Sequence, residues 1–112
     1  MLPVEELIKK AEELGINVED LIIDPISRHD PPEATKLRLK LAERYMAECE
    51  EYLRKGDPVQ ASEKAYKVAE ELVKALSEKF GLPEHDQASN ENRWYTQWLV
   101  SASNKLAERL GS

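Results

Sequence analysis

A four-residue turn, Lys55-Gly56-Asp57-Pro58, separates two long stretches of helical pattern and constrains this chain more than any other feature. Gly56 accepts the left-handed conformation that ends a helix. Asp57 can cap the next helix, and Pro58 suits its first position. The sequence therefore predicts that one long helix ends here and that a second one doubles back beside it.

The helix before the turn has a start signal of the same kind. Asp30 precedes Pro31, and aspartate followed by proline favours the first turn of a helix. We expect this helix to run to about Lys55. Its apolar residues follow two neighbouring seams, which form a face wider than one antiparallel partner covers. The seams are Leu37, Leu41, Tyr45, Cys49 and Tyr52, and beside them Leu39, Ala42, Met46 and Leu53.

The helix after the turn, expected from Pro58 to about Phe80, has a small-residue side and a charged side. Small side chains let a neighbouring helix approach closely; here they are Ala61, Ala65 and Ala69. Opposite charges four residues apart stabilise a helix surface. The pairs Glu63 with Lys67 and Glu70 with Lys74 therefore predict a solvated face.

A third long helix is expected from about Ser89 or Asn90 to Leu110, after a polar connection over Leu82 to Ala88 that contains His85. Three such helices expose more apolar surface than they cover among themselves. The remaining surface is most easily covered by a second copy or by a further C-terminal helix.

The N-terminal residues predict two shorter helices. The first runs from about Val4 to Leu14 and stops at Gly15; its apolar side consists of Leu7, Ile8, Ala11 and Leu14. Asn17 can cap the second, from Val18 to about Ile23, which Pro25 should end. We expect a loop from Asp24 to Asp30. The overall prediction is an all-α, antiparallel helical bundle of three long helices over residues 31–112, with a short helical N-terminal arm over residues 1–30.

Charge and composition exclude several classes of protein. Sixteen Lys and Arg residues against 22 Asp and Glu give a net charge of −6, which disfavours non-specific binding to nucleic acid or to an anionic membrane. No run approaches the roughly 20 apolar residues that span a bilayer, and the N-terminus lacks the pattern of a signal peptide. Cys49, the only cysteine, cannot form an internal disulfide, so we expect a cytoplasmic location.

Side chains that could carry catalysis or bind metal are few. His29 and His85 have acidic neighbours but lack the helical spacing that fixes a metal site, so we interpret both as solvated loop residues. Cys49 lies on an apolar seam and is interpreted as a small core residue. The sequence therefore predicts no catalytic residue, no metal and no cofactor.

Two groups of residues are candidates for binding. Lys36, Lys40 and Arg44 recur every four residues and could contact phosphate groups, although an ordinary charged face is the simpler interpretation. Trp94, Tyr95 and Trp98 could stack on bases, but residues of this kind beside Leu99 and Leu106 more often fill a core or a dimer interface.

The segment from Gly56 to Lys67, Gly-Asp-Pro-Val-Gln-Ala-Ser-Glu-Lys-Ala-Tyr-Lys, resembles the archaeal PaREP family, and the resemblance covers about residues 34–80. That uncharacterised family is grouped with the HEPN-like superfamily. Helical domains of that superfamily often dimerise, bind nucleotides or act as ribonucleases beside nucleotidyltransferase partners. The family tends to continue beyond the position of Ser112, which leaves open whether a final helix is missing.

HEPN ribonucleases carry an arginine that is followed four to six residues later by a histidine on the C-terminal helix. Counting from Arg93, the corresponding positions hold Trp98, Leu99 and Val100. With this pair absent, the wide apolar faces of the helices predict an HEPN-like, non-catalytic module that forms a homodimer or binds a helical protein partner. The alternative is an RNA- or nucleotide-binding domain of a toxin–antitoxin-like system, with at most weak ribonuclease activity.

Overall fold

The computed structural model describes residues 3–111, and every regular element among them is a helix. The all-α prediction is confirmed at this level. The six helices are α1 (Val4–Glu13), α2 (Val18–His29), α3 (Pro31–Arg54), α4 (Pro58–Lys79), α5 (Pro83–Glu91) and α6 (Thr96–Leu110). None of the helices in the described part of the chain has the length and apolar character needed to cross a membrane.

The predicted turn joins α3 and α4 as expected. Gly56 has a positive φ of 76°, and the Asp57 side chain accepts a hydrogen bond of 3.1 Å from the backbone N–H of Gln60. The two helices run antiparallel: Glu48 near the turn pairs with Lys64 at 2.9 Å, and Arg38 farther from it pairs with Glu71 at 2.9 Å. This hairpin is the centre of the fold, since α2 packs mainly on α3 and α6 mainly on α4.

Asparagine and aspartate caps begin two further helices at the predicted positions. Asn17 accepts a hydrogen bond from the backbone N–H of Asp20 at 2.9 Å, and Asp30 accepts one from Glu33 at 3.2 Å. Gly15, after α1, has a φ of 76°, the left-handed conformation that its position predicts.

The prediction that Pro25 ends α2 is wrong, and so is the loop predicted from Asp24 to Asp30. The helix continues through Pro25 to His29. A proline inside a helix removes one backbone hydrogen bond and costs about 3 kcal/mol. Contacts beyond Pro25 offset that cost: Ser27 donates a hydrogen bond to Glu78, and the Arg28 guanidinium donates to the Asn92 side chain at 2.8 Å.

The single third long helix is also a wrong prediction. The segment taken for a polar connection forms α5, which has Pro83 at its first position and buries Glu84 and Ala88. Asn92 then adopts the left-handed conformation, with φ 56°, and ends α5. The chain resumes a helix only at Thr96, so α6 has 15 residues.

A second core region joins the C-terminal elements to the hairpin. Leu82, Ala102 and Leu106 are buried together, and the half-buried residues around them are Val73, Leu76, Phe80 and Trp94. Beside it, Lys105 and Ser101 on α6 contact the buried Glu84 carboxylate at 2.8 Å and 2.5 Å. These contacts hold α5 and α6 as one unit against the end of α4.

Candidate interaction groove and the ion network beneath it

Four charged side chains form a buried ion network between α2, α3 and α4. Asp20, Arg38, Glu71 and Lys74 have side chains that are at most 6% exposed. One Arg38 nitrogen lies 2.5 Å from Asp20 and 2.9 Å from Glu71, and the Lys74 ammonium lies 3.0 Å from Asp20. Two positive and two negative charges therefore compensate one another out of water.

Arg38 and the adjacent Asp24 both have raised pKa values, for different reasons. Burial alone would lower the pKa of Arg38, but the adjacent Asp20 and Glu71 carboxylates outweigh burial and raise that pKa. Asp24, at 3.7 Å from the same guanidinium, has its pKa raised, first by burial and then by the charge of Asp20. Asp20 contacts both α3 and α4, so the network holds α2 in one position on the hairpin.

This network corrects one prediction. Lys74 was expected on a solvated face of α4, but its side chain is buried, together with those of Glu71 and Arg38. The spacing of the buried residues of α3 contained a signal that Arg38 is buried. Arg38 lies four residues after Ala34 and four before Ala42, both buried, whereas Lys36 and Lys40 lie off that line.

An open groove lies between α2 and α3, and we call it the α2–α3 groove. Its volume is about 470 Å³. Its apolar lining consists of Ile22, Ile23, Leu37 and Leu41, and its polar lining of Glu19, Lys40 and Arg44. Asp20, a member of the ion network, directly follows the lining residue Glu19 in α2. The network therefore positions one wall of the groove.

The three predicted phosphate contacts all lie on the exposed side of α3. Lys36, Lys40 and Arg44 form a cationic row, and the last two line the α2–α3 groove. Arg44 lies 3.7 Å from Glu48, an ion pair within the same helix. The row and the groove together present positive charge beside apolar surface.

The predicted aromatic group lies elsewhere and is divided between core and surface. Trp94 packs against the second core region, and Tyr95 is 38% exposed. The Tyr95 and Trp98 rings meet edge to face at 4.8 Å, and the Arg93 guanidinium lies 4.7 Å from the Tyr95 ring centre. None of these aromatic residues lines the α2–α3 groove.

The two histidines differ from their predicted setting. His29 is exposed at the end of α2, whereas His85 is half-buried on α5 with its Nε2 3.2 Å from Glu78. Ser27 and Thr35 also donate hydrogen bonds to Glu78, which thus joins four helices.

Cys49 is buried, as its seam predicts. Within residues 3–111, no cluster of three or more His, Cys, Asp or Glu side chains is placed to hold a metal ion.

The His85–Glu78 pair makes stability depend on pH. The hydrogen bond to Glu78 raises the pKa of His85 above its ordinary value of 6.5, despite burial. The stabilisation of the fold by this pair is therefore complete below about pH 6.5 and is lost as the pH rises through the raised pKa of His85. Burial alone would raise the pKa of Glu78, but hydrogen bonds from His85 and Ser27 outweigh it and lower that pKa. Glu78 thus keeps its charge where His85 titrates.

We predict that the free energy of unfolding decreases as the pH rises from 6.5 to 8.5, and that His85→Gln removes most of this decrease. Urea denaturation at several pH values measures this dependence of the free energy of unfolding on pH. His29→Gln is the matched control, because His29 is exposed, and it should leave the slope unchanged. An equal slope in the wild type and in His85→Gln would show that the pair contributes nothing.

Helix α1 is the element with the least tertiary contact. None of its residues is buried, and its only substantial contact is with α2. The predicted apolar side exists but faces solvent: Leu7 is 53% exposed and Leu14 is 70% exposed. The structure thus has an apolar helix face and an apolar groove that no described residue covers.

Comparison with known protein families gives a match over the greater part of the chain. The sequence profile of the family described as the archaeal PaREP1/PaREP8 family matches residues 37–112. The match begins within α3 and includes α4, α5 and α6, while α1 and α2 lie outside it. No curated protein and no solved structure matches the chain.

Proposed function

The chain belongs to the archaeal PaREP1/PaREP8 family, and we propose that it is a non-catalytic module that forms a homodimer through apolar surface left exposed by the single chain. The observation that carries this proposal is the exposed apolar face of α1. Isolated helices shorter than about 12 residues are marginal in water, and α1 has ten. Packing of its apolar face against another surface would supply the missing stability.

Further exposed apolar residues support association. Leu39 and Met46 on α3, Tyr66 on α4 and Val100 on α6 are each at least 41% exposed. Tyr66 and Val100 line a shallow groove of about 200 Å³ between α4 and α6. Apolar surface beyond the usual scatter of single residues is typical of proteins that associate. The resemblance to HEPN-like domains, which often dimerise, is in keeping with this function.

The test is the molar mass of the purified full chain in solution. Sedimentation velocity and light scattering from low micromolar to high micromolar concentration should give twice the 12.8 kDa of one chain, with dissociation on dilution. A mass of 12.8 kDa at every concentration would overturn the proposal. A monomer that binds a different helical protein would support partner binding and exclude homodimerisation.

A second candidate function is RNA or nucleotide binding, and one observation favours it. The cationic row of Lys36, Lys40 and Arg44 is exposed along two turns of α3. Phosphate contacts made by such a row would weaken steeply as salt increases. Titration of a fluorescent single-stranded RNA at two ionic strengths tests this function, and affinity that does not change with salt would exclude phosphate contacts by the row.

A further inference from the structure

We propose that the dimer forms by exchange of arms: α1 of each copy lies in the α2–α3 groove of the other copy. This inference rests on the proposed homodimer and names its interface. Two observations favour a partner and one selects it. The apolar face of α1 is uncovered, the groove is uncovered, and Glu5 and Glu12 on α1 are opposite in charge to Lys40 and Arg44 of the groove.

The apolar face of α1 has the shape of a narrow stripe. Its residues recur at three- and four-residue spacing, and so they lie on one side of the helix. They are Val4, Leu7, Ile8, Ala11 and Leu14, and all except the half-buried Ala11 are exposed. A stripe of this width fits a groove between two helices, as amphipathic peptide helices do.

The α2–α3 groove accommodates the greater part of that stripe in length. Ten residues of α-helix extend about 15 Å, and the seven steps from Leu37 to Arg44, the α3 side of the groove, extend about 10 Å. The apolar lining of the groove comes from both helices, with Ile22 on α2 and Leu41 on α3. The buried ion network keeps α2 and α3 together, so the groove exists before α1 arrives.

Charge selects α1 as the occupant. Glu5 and Glu12 lie seven residues apart, so both border the stripe on the same side, about 10 Å from each other along the helix. Lys40 and Arg44 line the groove on its α3 side, and the cationic row that they form with Lys36 is about 12 Å long. Glu19 lines the groove on its α2 side. Lys9, by contrast, lies on the side of α1 opposite the stripe. The side of α1 that carries Glu5 and Glu12 is therefore complementary in charge to the α3 side of the groove, while Lys10 borders the stripe on its other side.

The connection between α1 and α2 favours exchange over folding back in the same chain. The backbone N–H groups of Gly15 and Ile16 donate hydrogen bonds of 3.0 Å and 2.9 Å to carbonyls at the end of α1. Asn17 immediately begins the cap of α2. These bonds leave little slack between the two helices and hold α1 away from the groove of its own chain.

Reciprocal charge reversal in the full-length chain tests this interface, with the dimer dissociation constant from sedimentation equilibrium as the readout. Glu12→Lys and Lys40→Glu should each raise that constant about tenfold, because one substitution alters both symmetric contacts of the dimer. The double variant Glu12→Lys/Lys40→Glu should return it to near the wild-type value. The two side chains are exposed, so the fold should be retained, and circular dichroism checks this.

Lys9→Glu is the matched control, since it reverses one charge on the opposite side of α1 and should leave the dissociation constant within about twofold of wild type. A dimer whose stability is the same in all these variants would overturn arm exchange and leave the proposed homodimer in place. So would single variants that the double variant does not rescue. A wild-type chain that is monomeric throughout would overturn the proposed function itself.

Discussion

Replacement of Arg38 by methionine is expected to destabilise the fold by about 3–5 kcal/mol, because removal of one partner leaves the others buried without compensation. The guanidinium lies between Asp20 and Glu71, at 2.5 Å and 2.9 Å. Without it, Lys74 alone faces both carboxylates, and it lies 4.0 Å from the nearer oxygen of Glu71. Urea denaturation at neutral pH measures the change in the free energy of unfolding.

Two controls separate this effect from the loss of any positive charge on α3. Lys36→Met removes an exposed cation two residues away and should change the free energy of unfolding by no more than about 0.5 kcal/mol. Simultaneous replacement of Asp20, Arg38, Glu71 and Lys74 by apolar residues of similar size should cost much less than Arg38→Met, because no uncompensated charge remains. An Arg38→Met variant as stable as Lys36→Met would mean that the network does not hold α2 in place.

Replacement of Leu106 by alanine is expected to cost about 2–5 kcal/mol, the range for a large apolar side chain deleted from a packed core. Leu106 is 5% exposed and packs with Leu82 and Ala102. This cluster joins α6 to α4 and to the start of α5. The cavity that the substitution leaves would therefore loosen the C-terminal third of the fold. Thermal and urea denaturation measure the loss.

Leu110→Ala is the matched control for Leu106→Ala. Leu110 lies one turn farther along α6 and is 55% exposed, so its truncation should change the free energy of unfolding by no more than about 0.5 kcal/mol. Equal effects at the two positions would contradict the packing of α6 against α4 described above.

Local signals in the sequence predicted the hairpin well. The turn at Gly56 to Pro58 and the caps at Asn17 and Asp30 each depend on hydrogen bonds within a few residues, so their chemistry is visible in a short stretch. The apolar periodicity of α1 was visible for the same reason. A short stretch of sequence does not, however, reveal which surface covers this apolar side of α1.

The interior charges could not be predicted from local pattern. Glu70 and Lys74 have the spacing of a surface pair, yet Lys74 turns inward because Asp20, 54 residues earlier in the chain, provides its counter-charge. Similarly, Pro25 is a reliable helix breaker locally, and contacts with Glu78 and Asn92 keep α2 intact beyond it. In both cases, long-range partners outweigh the local preference.

The break between α5 and α6 was missed for another reason. Asn92 occupies the left-handed conformation without the glycine that usually marks it. The nearby Trp94 then packs against the second core region. A prediction from periodicity alone starts this helix too early, because Trp94, which lies in the break, continues the helical spacing of Trp98 and Leu99 in α6.

The central claim is that, in the proposed dimer, a second copy of this chain covers α1. Amide hydrogen exchange of residues 4–13 at low and at high protein concentration tests that claim most directly. Exchange of these amides should slow by at least about tenfold as the dimer forms, while amides in the centre of α3 stay protected at both concentrations. Rapid exchange of α1 at every concentration, under conditions where the molar mass is that of two chains, would contradict it.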